Sequence, residues 1–187
     1  MNKRGLWIAL AIVAFLAMIL FKTNNSLVAL DEGVNAAWSQ VENQLQRRYD
    51  LIPNLVNTVK GYAAHEKDVL ISVTEARSKV GSAKTISGKM AANSQLTSAL
   101  GRLMVVMEKY PDLKANQNFM ALQSQLEGTE NRISVERRRY NEAVRLYNTA
   151  IRRFPASLAA SLFHFERKKF FKADVVAQKN VKVDFSK

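Results

Sequence analysis

Apolar residues follow two different patterns along this chain. Leu6–Phe21 is an unbroken apolar run, with Lys3 and Arg4 before it and Lys22 directly after it. From Leu27 onward the apolar positions recur in steps of three or four: Leu27, Leu30, Val34, Trp38, Val41, Leu45, Tyr49 and Ile52. That spacing lines one face of a long helix. It resumes beyond Pro53 with Leu55 or Val56, then Val59, then Tyr62 or Ala63, and reaches Val73 and Ala76. The pattern predicts one helix over roughly 26–79, bent near Pro53, because a proline removes the bond to the Tyr49 carbonyl and crowds it. Arg47, Arg48, Asp50 and Asn54 cluster around that point as polar groups able to meet the exposed backbone.

Two further long helices follow. Ser78–Lys89 holds two glycines and reads as a surface turn. Leu96, Leu100, Leu103 and Met107 then predict a helix over about 91–110, ended by Pro111. The last long helix is expected from near Asn116 to Phe154, with Phe119, Leu122, Leu126, Thr129, Ile133, Tyr140, Val144, Tyr147, Ile151 and Phe154 on its seam. Glu136 interrupts that seam, which calls for solvent or an arginine partner there. The middle helix is too short to return the chain along the first, so 111–117 is expected to run partly extended. A short apolar helix is expected after Pro155. The alternating Val181–Phe185 resembles a lone strand, which is not stable by itself.

Sixteen residues of helix cover about 24 Å against a hydrocarbon core of about 30 Å. Gly5 and Thr23 can lengthen the apolar run, and Arg4 and Lys22 can snorkel outward, so it can span a bilayer. A cleaved leader has the same basic start and apolar middle, but no small-x-small site follows Phe21, which favours a retained signal anchor. The flanking charges place the N-terminus in the cytoplasm and the larger C-terminal part across the membrane. The expected organisation is therefore a transmembrane segment over 1–25, a helical bundle over 26–172 and a basic tail over 173–187.

Composition narrows the function. A net charge of +12 is concentrated toward the two ends, which points to an anionic surface near the termini, with Arg167, Lys168 and Lys169 as lipid-headgroup candidates. Arg137, Arg138, Arg139, Arg145, Arg152 and Arg153 lie around the helix among glutamates and form no nucleic-acid stripe. The chain has no cysteine and two histidines, which argues against a metal site. His65-Glu66 opens like a zinc-protease motif, but Val69 stands where the second histidine belongs. Gly88-Lys89 fails as a phosphate loop because Ala83 and Met90 occupy the required glycine and hydroxyl positions. No catalytic constellation or cofactor motif emerges. Tyr140-Asn141 recurs as Tyr147-Asn148 on the same helix face, a pattern suited to register-fixing hydrogen bonds. Arg47, Arg48 and Asn54 are expected to bond to Glu130, Asn131 or this Tyr-Asn ladder.

Residues 47–66, RRYDLIPNLVNTVKGYAAHE, resemble the signature of the bacterial LemA family. So do Tyr110–Phe119, Leu126–Ile133 with Glu130, Asn131 and Arg132, then Arg139-Tyr140-Asn141, Tyr147-Asn148 and Phe154-Pro155. Two departures are Glu136, where a small residue is usual, and His164, where glycine is common. The resemblance implies an all-α, elongated antiparallel bundle of three long helices and a short C-terminal helix behind one N-terminal transmembrane helix. It supplies no biochemical activity, although a relative in magnetotactic bacteria is implicated in forming magnetosome membranes. The expected role is a non-enzymatic, single-pass scaffold of the bacterial inner membrane, its C-terminal domain extracytoplasmic, meeting envelope proteins or copies of itself. The alternatives are a remodelling protein that binds anionic lipid and, more distantly, a hydrolase. Arg47, Arg48, Asp50, Pro53, Asn54, Glu130, Asn131, Arg132, Tyr140, Asn141, Tyr147 and Asn148 are the structural or partner-surface candidates.

Overall fold

The computed structural model describes residues 3–63 and 65–171. The expected tail, 173–187, with its strand-like Val181–Phe185, lies outside the described residues. Six helices and no strand occur among the described residues: α1 Lys3–Tyr62, α2 Lys67–Ser82, α3 Ile86–Met107, α4 Pro111–Lys114, α5 Gln117–Ala150 and α6 Ala156–Leu162. The fold is an all-α bundle. It divides into one unit of Met1–Val41 with Glu136–Phe170 and a second of Glu42–Val135 with residues from Phe171.

The apolar run and the first seam belong to one continuous helix, so residue 25 marks no break in α1. The run is long and apolar enough to cross a membrane, and the rest of the described protein leaves its apolar window uncovered. Further along, α1 changes character. Leu27, Val34, Trp38 and Val41 are buried in the first unit, and Leu45, Ile52, Leu55 and Val59 in the second.

The helix expected to continue to residue 79 is interrupted, and the interruption lies beyond Pro53. Pro53 lies inside α1, which ends at Tyr62, and α2 begins at Lys67. An interior proline costs a helix about 3 kcal/mol, part of it from the carbonyl left without its amide donor. Here that carbonyl, on Tyr49, accepts from Arg77 Nε of α2 at 3.1 Å. The same guanidinium lies 3.8 Å from the Tyr49 ring centroid. One turn on from Arg77, a Cβ on Gly81 would meet the Tyr49 hydroxyl at 3.2 Å, so glycine lets the ring sit against α2. The reversal from α1 to α2 is held by long-range bonds: Tyr110 Oη donates to Glu66 at 3.0 Å, and Asn116 Nδ2 to Tyr62 Oη at 2.9 Å. The seam gives no warning of it, because Val59, Ala63, Leu70 and Val73 are buried on either side of the turn.

Other boundaries shift for local reasons. The expected loop over 78–89 shortens to Ala83–Thr85, because the Thr85 side chain caps α3 by accepting from the Gly88 amide at 3.0 Å. The expected extended stretch after Pro111 contains α4 instead, with the proline at a first-turn position that its fixed φ suits. Asn116 Oδ1 then accepts from the Phe119 amide at 3.0 Å at the start of α5. At the far end α5 stops at Ala150, short of Phe154, where three-residue bonds such as Arg153 N to Ala150 O tighten the turn. Glu136 pairs with Arg139 at 2.8 Å.

In the second unit Ile52, Leu55 and Val59 of α1 cluster with Leu70 and Val73 of α2, Leu96, Leu100 and Leu103 of α3, Leu113 of α4, and Phe119 and Leu126 of α5. The first unit packs the Trp38 ring edge-on to Tyr140 at 5.6 Å between centroids. There α6 turns Ala159 and Ala160 inward. It closes with Phe165 N bonding to Ala160 O at 2.9 Å around His164, whose φ is 59°. That is a Schellman-type ending, in which glycine is the easiest occupant of the left-handed position.

Candidate functional site

Arg48 follows Val41 and Leu45 on the α1 seam, and so its side chain points into the second unit. It is 4% exposed, and its Nη1 lies 2.6 Å from Glu130 Oε2 of α5. The same nitrogen donates to Thr97 Oγ1 at 2.9 Å and to the buried Asn93 Oδ1 at 3.3 Å, both on α3. Burial pushes the guanidinium below its usual range, while the Glu130 charge opposes that shift. Arginine nevertheless stays protonated in proteins, so this is a fixed cation with a dedicated counter-ion and no transferable proton. Such a group ties three helices together in register and is ill-suited to acid–base chemistry.

The other candidates of this stretch face outward. Arg47, Asp50 and Asn54 are exposed, with Asp50 accepting from Gln46 at 2.9 Å and the Asn54 carbonyl from Thr58 at 2.9 Å. Asn131 and Arg132 are also exposed, and Pro53 is half-buried. Asn93, Thr97 and Arg77 are partners that the sequence pattern did not single out. Asn93 carried a signal: it stands three residues before Leu96 and seven before Leu100, a polar residue in a seam position.

In the Tyr-Asn ladder, Tyr140 and Asn148 bond within the first unit, to backbone groups instead of the expected Arg47, Arg48 or Asn54. Asn148 Nδ2 donates to the Lys168 carbonyl at 2.9 Å, while its Oδ1 accepts from the Lys168 amide at 2.9 Å. Tyr140 Oη donates to the Lys169 carbonyl at 3.1 Å. The reason is backbone satisfaction. A segment outside regular structure has unpaired amides and carbonyls, and a side-chain amide can serve both groups of one residue. Asn141 is half-buried and Tyr147 buried. Burial raises the phenol pKa values of Tyr140 and Tyr147, with Asp31 and Glu166 adding to the effect at Tyr147. Of the headgroup candidates, Lys168 is engaged, with Nζ 2.7 Å from Asp31 and 5.5 Å from the Tyr147 ring centroid. Arg167 and Lys169 are exposed.

Hollows open on the described surface of both units. In the second unit a groove of about 490 Å³ has Val56, Leu70 and Ile71 in its walls and Lys60, Lys67 and Glu75 at its rim. In the first unit a hollow of about 450 Å³ is lined by Lys22, Arg145 and Arg153 together with Ser26, Thr149 and Leu146. Glu66, of the incomplete zinc-protease motif, holds Tyr110 at the helical reversal, and that hydrogen bond raises the Tyr110 phenol pKa. Among the described residues no group of three or more His, Cys, Asp or Glu side chains is placed to hold a metal ion.

The LemA family profile matches residues 37–185. The chain belongs to the LemA family. The match takes in the Arg48–Glu130 pair, the Tyr49–Pro53–Arg77 contact and the Tyr140–Asn148 ladder. Among the relatives, magnetosome protein MamQ 2 of Paramagnetospirillum magneticum is 28% identical over 191 residues, covering 87% of this chain and 69% of the relative. Magnetosome protein MamQ of Magnetospirillum gryphiswaldense is 28% identical over 188 residues, with the same coverage. Protein LemA of Metamycoplasma hominis is 25% identical over 158 residues, covering 84% of this chain and 72% of the relative.

Proposed function

We propose that this LemA-family chain is a non-enzymatic scaffold of the bacterial inner membrane, tethered by a single pass and presenting its helical body outside the cytoplasm. The observation that carries this reading is that one helix, α1, supplies both the uncovered apolar run and core residues of the bundle. A body joined to its anchor without a linker suits holding a surface at a set place above a membrane. The charged groups support the same view, since Arg48, Glu130 and Glu66 are committed to holding helices together.

The exposed part of the signature, Arg47, Asn54, Asn131 and Arg132, is then a surface for envelope partners. A photo-crosslinking residue at position 47 or 131 of the full chain, in native membranes, should give one discrete adduct of reproducible mass at each position. Absence of adducts at both positions would contradict the scaffold role. The relatives named as magnetosome proteins favour a second reading, in which the chain helps to organise a membrane, with Arg167 and Lys169 meeting anionic headgroups.

A further inference from the structure

We infer that the hollow beside Lys22 is a binding site for the headgroup of an anionic phospholipid. This rests on the membrane-tethered reading above and adds a ligand to it. Lys22 directly follows Phe21, the last residue of the apolar run, and Ser26 lies one turn further on. At about 1.5 Å per residue the hollow begins within roughly 8 Å of the end of the run. A headgroup layer is about 5–8 Å deep on each side of the hydrocarbon core, so the hollow lies at headgroup level.

Its chemistry suits a phosphodiester carrying acyl chains. Lys22, Arg145 and Arg153 supply three cations, and Ser26 and Thr149 supply hydroxyl donors. Arg145 commits Nε and Nη2 to Glu142 at 2.8 and 2.6 Å, a pairing that depresses the Glu142 carboxyl and brings one anion to the arginine. The cations still outnumber that carboxylate. Leu146 and Pro155 give the same hollow apolar walls. A soluble phosphate would have no use for such walls, whereas the glycerol and first methylenes of a lipid would.

A second observation points the same way. Pro155 and Ala156, at the edge of the hollow, lead into α6, whose inner face is Ala159 and Ala160. Its outer face shows Leu158 and Leu162, 57% and 61% exposed, one turn apart, and Phe154 just before it is 80% exposed. Large apolar side chains that flank in sequence the residues lining a cationic hollow are what an interfacial contact requires.

The test uses the full chain purified in a zwitterionic detergent, with retained lipid read by native mass spectrometry after addition of phosphatidylglycerol or phosphatidylcholine. The wild type should retain phosphatidylglycerol in clear preference. Arg145→Gln with Arg153→Gln should cut that retention roughly tenfold, since each basic group near an anionic headgroup contributes several-fold. Arg153→Lys should keep most of it. Arg102→Gln with Lys109→Gln, an equal charge loss in the second unit, should leave it unchanged. Circular dichroism melts establish that each variant is folded; if the Arg145/Arg153 pair is not, Arg153→Gln alone should still lower retention. Equal retention of both lipids by the wild type, or an equal loss in the Arg102/Lys109 control, would overturn the site. Displacement by excess inorganic phosphate would assign it to free phosphate instead. Flotation with liposomes separates the two levels: a chain that floats without a lipid preference loses the site and keeps its tether, and one that does not float loses the tether.

Discussion

Arg48→Met tests the buried cation directly. The change keeps much of the apolar stem and removes the bonds to Asn93, Thr97 and Glu130. Glu130 is itself 40% exposed and can turn to water, so the loss should fall below that of a fully buried pair, at about 1–3 kcal/mol in urea unfolding. An unchanged midpoint would mean that the network does not hold the helices. His164→Gly works in the opposite direction. It removes the Cβ from a left-handed backbone position at φ 59° and should stabilise the fold by about 0.5–1 kcal/mol, read as a higher melting temperature. Tyr140 has a pH signature. Its folded phenol titrates above the unfolded value, because burial disfavours the phenolate. The stability it contributes is therefore complete below about pH 10 and is lost as pH rises through the raised folded value. Tyr140→Phe should lose about 1 kcal/mol at neutral pH, through the bond to the Lys169 carbonyl, and show a shallower alkaline decline. An alkaline slope equal to that of the wild type would contradict this.

At the scale of elements, Pro53, Tyr49 and Arg77 form one device: a proline frees a carbonyl in α1, and an arginine of α2 caps it. Arg77→Met should destabilise the wild type more than it destabilises a Pro53→Ala background, where residue 53 can bond to the Tyr49 carbonyl within the helix. The expected coupling in a double-mutant cycle is about 0.5–1.5 kcal/mol, and additivity would show that the two residues act separately. Much of the seam was legible in the chain, because steps of three and four place Leu27, Val34, Leu55, Leu103 and Ile133 on buried faces whatever their partners. The turn between α1 and α2 was not legible. Its apolar positions keep the helical rhythm, and the groups that reverse the chain, Tyr110 and Asn116, lie far along the sequence. Arg77 was invisible for a related reason, since a polar residue on an exposed-looking position gives no hint of a carbonyl 28 residues earlier. In the candidate site, Arg48 and Glu130 could be singled out, but the partners of the Tyr-Asn ladder could not. Backbone groups of 168 and 169 carry no sequence mark of being unpaired.

At the scale of the molecule, α1 is at once a span candidate and part of the bundle core. Both halves of that description can be tested together, because the chain has no cysteine of its own. Ser82, at the exposed end of α2, is replaced by cysteine in the full chain. Intact spheroplasts are then treated with a membrane-impermeant maleimide, and the membranes are afterwards extracted with alkaline carbonate. A tethered body outside the cytoplasm requires labelling of the Ser82→Cys chain before lysis and its retention in the carbonate-washed pellet. Labelling only after lysis, or release of the chain into the carbonate wash, would contradict it.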